Sequence, residues 1–236
     1  MVPRQQMLLA WSGGKDAAWT LHVLRQRGNV DVVGLLATVS LADGRATMQG
    51  VAGEVLRAQA RAAALPLLEV ELPEPVDNAE YVARMAQVLA AAAARWPGLD
   101  TIAFGDLLLA DVRAWREAQM AQIGWRIDTP LFGSETGALA RGMLHGGLRA
   151  SLCCVDTQQL NAGFAGRPFD DALLAALPEG VDPCGENGEF HTCVHDGPMF
   201  DAPLALSRGA TWLRDGRFAV SDFVLPAPAG ARSESG

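Results

Sequence analysis

LLAWSGGKDAAW, Leu8 to Trp19, sets an apolar run, a serine–glycine–glycine turn and the start of a helical pattern side by side. Apolar residues recur at helical intervals after the turn, so the stretch reads as strand, turn, helix. A turn at the carboxyl end of a first parallel strand points backbone N–H groups outward at the positive end of the helix dipole, where anions are stabilised. Ser12, Gly13 and Gly14 let the backbone approach a phosphate, Lys15 supplies a movable positive charge, and Asp16 can cap the helix or help to hold Mg²⁺. The plain alternative is a glycine turn that only opens an ordinary helix. Spacing excludes two other glycine motifs, since neither GxxxxGK(S/T) nor GxGxxG follows the strand.

Outward from this turn, strand-like runs alternate with helical ones. MLLAW precedes a helix over 17–27, VDVVGLLATV one over 51–64, LLEVEL one over 79–95, and TIAFGD one over 110–124. That alternation predicts an α/β fold, a doubly wound parallel sheet with helices on both faces. ASLCCV, after a helix near 136–144, is expected to be its fifth strand. Beyond Asp156 the elements shorten and Gly and Pro increase, and Asp215-Gly216 within TWLRDGRFAV reads as a hairpin turn. The expected division is a nucleotide-binding domain over 1–156, a small C-terminal α+β lobe over 157–226 and a disordered tail over 227–236.

Composition narrows the classes. The 236 residues are half hydrophobic and carry a net charge of -8, with a pI near 5.0. A general nucleic-acid surface would require a clustered basic excess. No run has the length of a membrane span or a secretory signal, and the four cysteines form no CxxC pair or disulfide-rich pattern, so a cytoplasmic, reduced protein is expected. Cys184, Cys193 and His191 match no common zinc spacing.

In doubly wound sheets the ligand lies beyond the carboxyl ends of the strands, where the strand order reverses. The loops after strands one and four should meet there, which would bring Gly105-Asp106 to the SGGKD turn. Asp106 could then hold Mg²⁺ or orient an acceptor, or simply cap the next helix. On that helix Arg113 and Arg116 share a face, as do Arg113 and Glu117, so two guanidinium groups could take a phosphate or an acidic acceptor. A solvated surface with an Arg–Glu pair is the alternative. GENGEFHT offers Glu186, Asn187, Glu189, His191 and Thr192 within one short segment. If it is extended, Glu189 and His191 project to one side, a carboxylate beside an imidazole suited to moving a proton from an incoming amine. His22, His145 and His195 read as structural.

The SGGKD turn resembles the SGGKDS signature of the pyrophosphate-loop ATP enzymes, whose fold is that of the adenine nucleotide alpha hydrolases. Ala17 stands where those enzymes have Ser, so one hydroxyl contact to phosphate is missing. FGDLLLADVRAWRE, Phe104 to Glu117, and DPCGENGEFHT, Asp182 to Thr192, with DGPMF after it, resemble the diphthine–ammonia ligase family in its bacterial stand-alone form. The similarity runs from Met7 to about Pro226. Gln49 of MQG replaces a family histidine, so no imidazole role carries over there. The resemblance implies an AMP-forming ligase using ATP and Mg²⁺. Lys15, Asp106, Glu189 and His191 would serve catalysis, Ser12 to Asp16 with Thr38, Arg113 and Arg116 would bind nucleotide, Asp16 and Asp106 would hold the metal, and Glu186, Asn187 and Thr192 would meet substrate. The expected partners are a small-molecule or protein carboxylate and ammonia, with no membrane and no general nucleic acid. A homodimer is one assembly the sequence allows. An ATP or AMP sensor, or a nucleotide hydrolase without amide chemistry, is the rival reading.

Overall fold

The computed structural model describes residues 4–227. Strands β1 (Gln5–Ala10), β2 (Val30–Ser40), β3 (Leu67–Leu72), β4 (Thr101–Ala103) and β5 (Arg126–Asp128) form a parallel sheet in the order β3-β2-β1-β4-β5. Helices α1 (Lys15–Gln26), α2 (Gly53–Ala62), α3 (Asn78–Arg95) and α4 (Ala110–Gln122) make the connections. This is the expected α/β architecture.

The alternation of β1 explains the two faces. Met7 and Leu9 join one core with Leu21 and Leu24 of α1 and Val55 and Leu56 of α2. Leu8 joins a second with Met85 and Leu89 of α3 and Met120 of α4. Successive strand residues point to opposite faces, so the apolar run Met7 to Ala10 of β1 requires a helical layer on each side. Burial of each such side chain contributes roughly 1.5–3 kcal/mol.

Then follow α5 (Thr136–His145), β6 (Arg149–Asp156), α6 (Asp171–Ala176), β7 (Phe190–Asp196), β8 (Ser207–Arg214) and β9 (Phe218–Val224). The last four strands make an antiparallel sheet ordered β7-β6-β9-β8. Cys153, Phe190 and Val194 from this sheet enter the same core as α1 and α2, so the second sheet is packed onto one helical layer of the first.

ASLCCV therefore corrects one expectation. It lies in β6 of the antiparallel sheet, and the fifth parallel strand is β5. The burial of β6 is nearly continuous, which in sequence resembles an interior parallel strand. β5 has only three residues, too few to show a period. The hairpin falls where expected, its three-residue loop running from Asp215 to Arg217 with Asp215 at φ 52° and Gly216 at φ 64°, both left-handed. The tail expected over 227–236 lies, apart from Ala227, outside the described residues. No helix among the described residues is long and apolar enough to cross a membrane.

Candidate active site

Strand β1 lies between β2 and β4, so the chain reverses its direction of winding at β1 and the loops after β1 and β4 face each other. A cavity of about 730 Å³ opens there, within the range of cofactor pockets. Ser12, Gly14, Lys15, Asp16 and Ala17 line one side, and Gly105 and Asp106 come from the loop after β4. The two loops touch closely, for a Cβ on Gly105 would lie 2.9 Å from the Asp16 carbonyl carbon and 3.0 Å from the Ala17 nitrogen.

The glycine turn is built by both sheets. Gly13 has φ +79°, and its carbonyl accepts from Val194 N at 2.9 Å and from Gln59 Nε2 at 3.0 Å. Gly14 precedes α1 without a side-chain cap. The Ser12 hydroxyl accepts from Gly14 N at 3.3 Å, and Thr192 Oγ1, on β7, accepts from Lys15 N at 3.0 Å. The remaining first-turn N–H groups, those of Asp16 and Ala17, have no acceptor among the described residues, and both residues line the cavity.

Lys15 is tied to its neighbours. Its ammonium donates to Asp16 Oδ2 at 2.8 Å and Oδ1 at 3.0 Å, donates to the Cys184 carbonyl, and lies near the rings of Phe169 and Phe190. Burial pulls its pKa down, but Asp16 and the other neighbouring negative groups more than offset this and leave it above the ordinary lysine value. Asp106 Oδ2 lies 3.1 Å from Arg116 Nε, yet neither atom has a well-angled hydrogen bond although both are buried. Burial raises the Asp106 pKa, Arg116 opposes that shift and Asp16 adds to it.

Arg113 and Arg116 share a helix face only in part. Arg116 reaches the cavity and stacks over Phe104 at 4.4 Å. Arg113 pairs with Glu117 at 3.6 Å, covers Phe132 and is not part of the cavity wall. Thr38 lines the cavity, its hydroxyl 2.9 Å from that of Thr47.

The GENGEFHT segment closes the remaining side and leads into β7. Glu186, Asn187, His191 and Thr192 line the cavity with it. Residues 136–220 match the family model for the diphthamide synthase C-terminal domain. No curated protein matches the chain.

The matched segment begins with α5 and ends within β9, so it contains GENGEFHT and most of the antiparallel sheet, while the glycine turn precedes it. Inside it, Glu189 and His191 part company. Glu189 is 2% exposed and accepts from Asp182 N at 2.9 Å, Asn187 N at 2.9 Å and Asn187 Nδ2 at 3.0 Å. It fastens the loop and is absent from the cavity wall. His191 faces the cavity, and burial, with Lys15 and Arg214 nearby, pushes its pKa down to about 4, so the imidazole is neutral at pH 7. Glu186 Oε1 accepts from Leu108 N at 3.1 Å and Leu107 N at 3.3 Å, joining this segment to the loop that carries Asp106.

Three residues were not singled out from sequence. Gln59 is fully buried, donating to the carbonyls of Gly13 and Val194 and accepting from Trp11 Nε1 at 3.0 Å. Its signal was its place on the apolar stripe of Val55, Leu56 and Ala60, where an amide demands partners. Asp182 accepts from Thr136 Oγ1 at 2.6 Å and Cys184 N at 2.7 Å, which shapes the loop. Tyr81 of α3 lines the cavity, brought there by a helix whose sequence signals only packing.

Proposed function

We propose that the protein is an ATP-dependent ligase that joins a carboxylate to ammonia or an amine, releasing AMP and pyrophosphate. The observation that carries this reading is the start of α1 at the reversal of strand order, where Asp16 and Ala17, whose N–H groups have no acceptor among the described residues, line a cavity also walled by the segment that matches the diphthamide synthase model. The β and γ phosphates would rest on Ser12 to Asp16, leaving the α phosphorus toward the acceptor side. The acceptor carboxylate attacks that phosphorus, pyrophosphate departs, and ammonia displaces AMP from the acyl-adenylate. Catalysis comes mainly from placing the reactants and from fixed charges where negative charge moves.

Asp16 and Asp106 fit a Mg²⁺ role by number, since this ion commonly takes one or two carboxylates plus phosphates and water. They feel one another's charge across the cavity, a repulsion that a cation would relieve. When bound, Mg²⁺ would neutralise phosphate charge. Among the described residues no group of three or more His, Cys, Asp or Glu is arranged to hold a metal without such a ligand. With nucleotide present, Asp16 would exchange Lys15 for the metal and Lys15 would turn to phosphate.

A nucleotide sensor is favoured by one observation, the closed Lys15–Asp16 pair beside Ala17. Products separate the readings. α-Labelled ATP with Mg²⁺, ammonium and a panel of carboxylates is expected to give AMP and pyrophosphate in equal amounts, dependent on the carboxylate. ADP and orthophosphate as principal products refute the ligase reading, and nucleotide binding without bond cleavage supports the sensor.

A further inference from the structure

Three carboxylates line the cavity: Asp16, Asp106 and Glu186. Asp16 is paired with Lys15 and Asp106 with Arg116. Among the described residues Glu186 alone of the three has no cationic partner. One of its oxygens is committed, since Oε1 takes the N–H groups of Leu107 and Leu108. Oε2 accepts no hydrogen bond among the described residues.

We infer that Glu186 is the catalytic base that takes a proton from the incoming ammonium, an assignment that rests on the ligase reading above. The other candidates are excluded by their surroundings. Glu189 holds three loop donors away from the cavity. His191 is a buried neutral imidazole with Lys15 and Arg214 nearby, so a proton passed to it from ammonium would leave a cation enclosed beside other cations. Asp16 and Asp106 each face a cation, Lys15 and Arg116, and on the ligase reading would be taken up by Mg²⁺.

The chemistry requires such a group, because ammonia at neutral pH is mostly ammonium and has no lone pair to attack with. Burial disfavours the carboxylate and the ammonium together, so transfer of one proton between them removes two charges from a poorly solvated place. Burial raises the Glu186 pKa, the donors from Leu108 and Leu107 and the charge of Lys15 restrain the rise, and Asp16 adds to it. Glu186 takes the first proton. The nitrogen then bonds to the acyl carbon, the carbon–oxygen bond to AMP breaks with its electron pair passing to the phosphate oxygen, and that oxygen takes the second proton from nitrogen. Ammonium, carboxylate and acyl-adenylate thereby give amide, protonated Glu186 and the AMP monoanion, with atoms and charge balanced.

Glu186→Gln tests this without loosening the loop, for the amide oxygen can still accept from Leu107 and Leu108. The full chain is given ATP, Mg²⁺ and a mixture of biological mono- and dicarboxylic acids, with ammonium in one arm and hydroxylamine, uncharged at neutral pH, in the other. The variant should keep its melting temperature and its hydroxamate formation while amide formation falls by about a hundredfold or more. Equal amide formation by variant and wild type overturns the assignment alone. Equal loss of both products, with Glu186→Ala behaving alike, makes Glu186 a loop fastener and also overturns it. A wild-type protein that makes neither product, and no AMP, overturns the ligase reading and the assignment together.

Discussion

Replacing Gln59 by leucine should loosen the glycine turn from behind. The side chain is wholly enclosed and makes three hydrogen bonds, to the Gly13 carbonyl, the Val194 carbonyl and the Trp11 indole. Leucine has similar bulk, so no large cavity forms and the cost is chiefly polar. The Trp11 N–H loses its acceptor, the Val194 carbonyl loses its 2.7 Å donor, and the Gly13 carbonyl keeps Val194 N. At about 1–3 kcal/mol for each buried group left unpaired, less some apolar gain from leucine, the loss comes to about 2–3 kcal/mol. For a chain of this size that lowers the melting temperature by roughly 4–12 °C. Urea unfolding followed by tryptophan fluorescence measures the difference. Gln59→Glu should cost more, because a carboxylate has no N–H to give the two carbonyls and its charge is enclosed. A leucine variant within about 0.5 kcal/mol of wild type would refute the reasoning.

Three further outcomes are expected. Asp156, buried at the end of β6, accepts two hydrogen bonds from Arg217 and one each from Gln159 and the Gln158 N–H, and Arg217 above all holds its carboxyl well below the usual range. A depressed folded pKa gives stability that is complete above the unfolded carboxylate value and is lost as pH falls through that range. Asp156→Asn should therefore lower the urea midpoint at pH 7, with the gap narrowing toward pH 3; a gap that does not change would rule out a charge effect. Gly105→Ala, whose new methyl would meet the backbone at the start of α1, should cost about 1–3 kcal/mol and reduce the thermal stabilisation given by MgATP. Gly142→Ala, in open space within α5, should leave stability the same or raise it by about 0.5–1 kcal/mol in the same thermal assay.

Four strands of the parallel sheet were legible because apolar runs alternate with helices of clear periodicity, whereas the three residues of β5 carry no such signal. β6 misled because burial on both sides writes the same residues whichever way the neighbouring strands run; pairing partners are not local information. The site was legible in its motifs and less so in their division of labour. GENGEFHT announces carboxylates and an imidazole, but two glycines at positive φ, Gly185 and Gly188, turn the segment so that Glu186 faces the cavity and Glu189 faces the loop. An extended reading placed Glu189 beside His191 instead. The two arginines of α4 share a face by spacing, yet a helix side is wide enough for Arg116 to reach the cavity and Arg113 to pair outside it.

The bond from Val194 N to the Gly13 carbonyl, and that from Lys15 N to Thr192 Oγ1, have a consequence for synthesis of the chain. The turn leaves the ribosome well before β7, since Lys15 precedes Thr192, one of the groups that complete it, by 177 residues. A nascent chain can form β1, α1 and β2 early and still lack a finished anion seat. Long-range closure of this kind is slow relative to local folding, so competence to hold a nucleotide should arrive late and all at once. On the proposed reading, partial products of translation would then not sequester ATP.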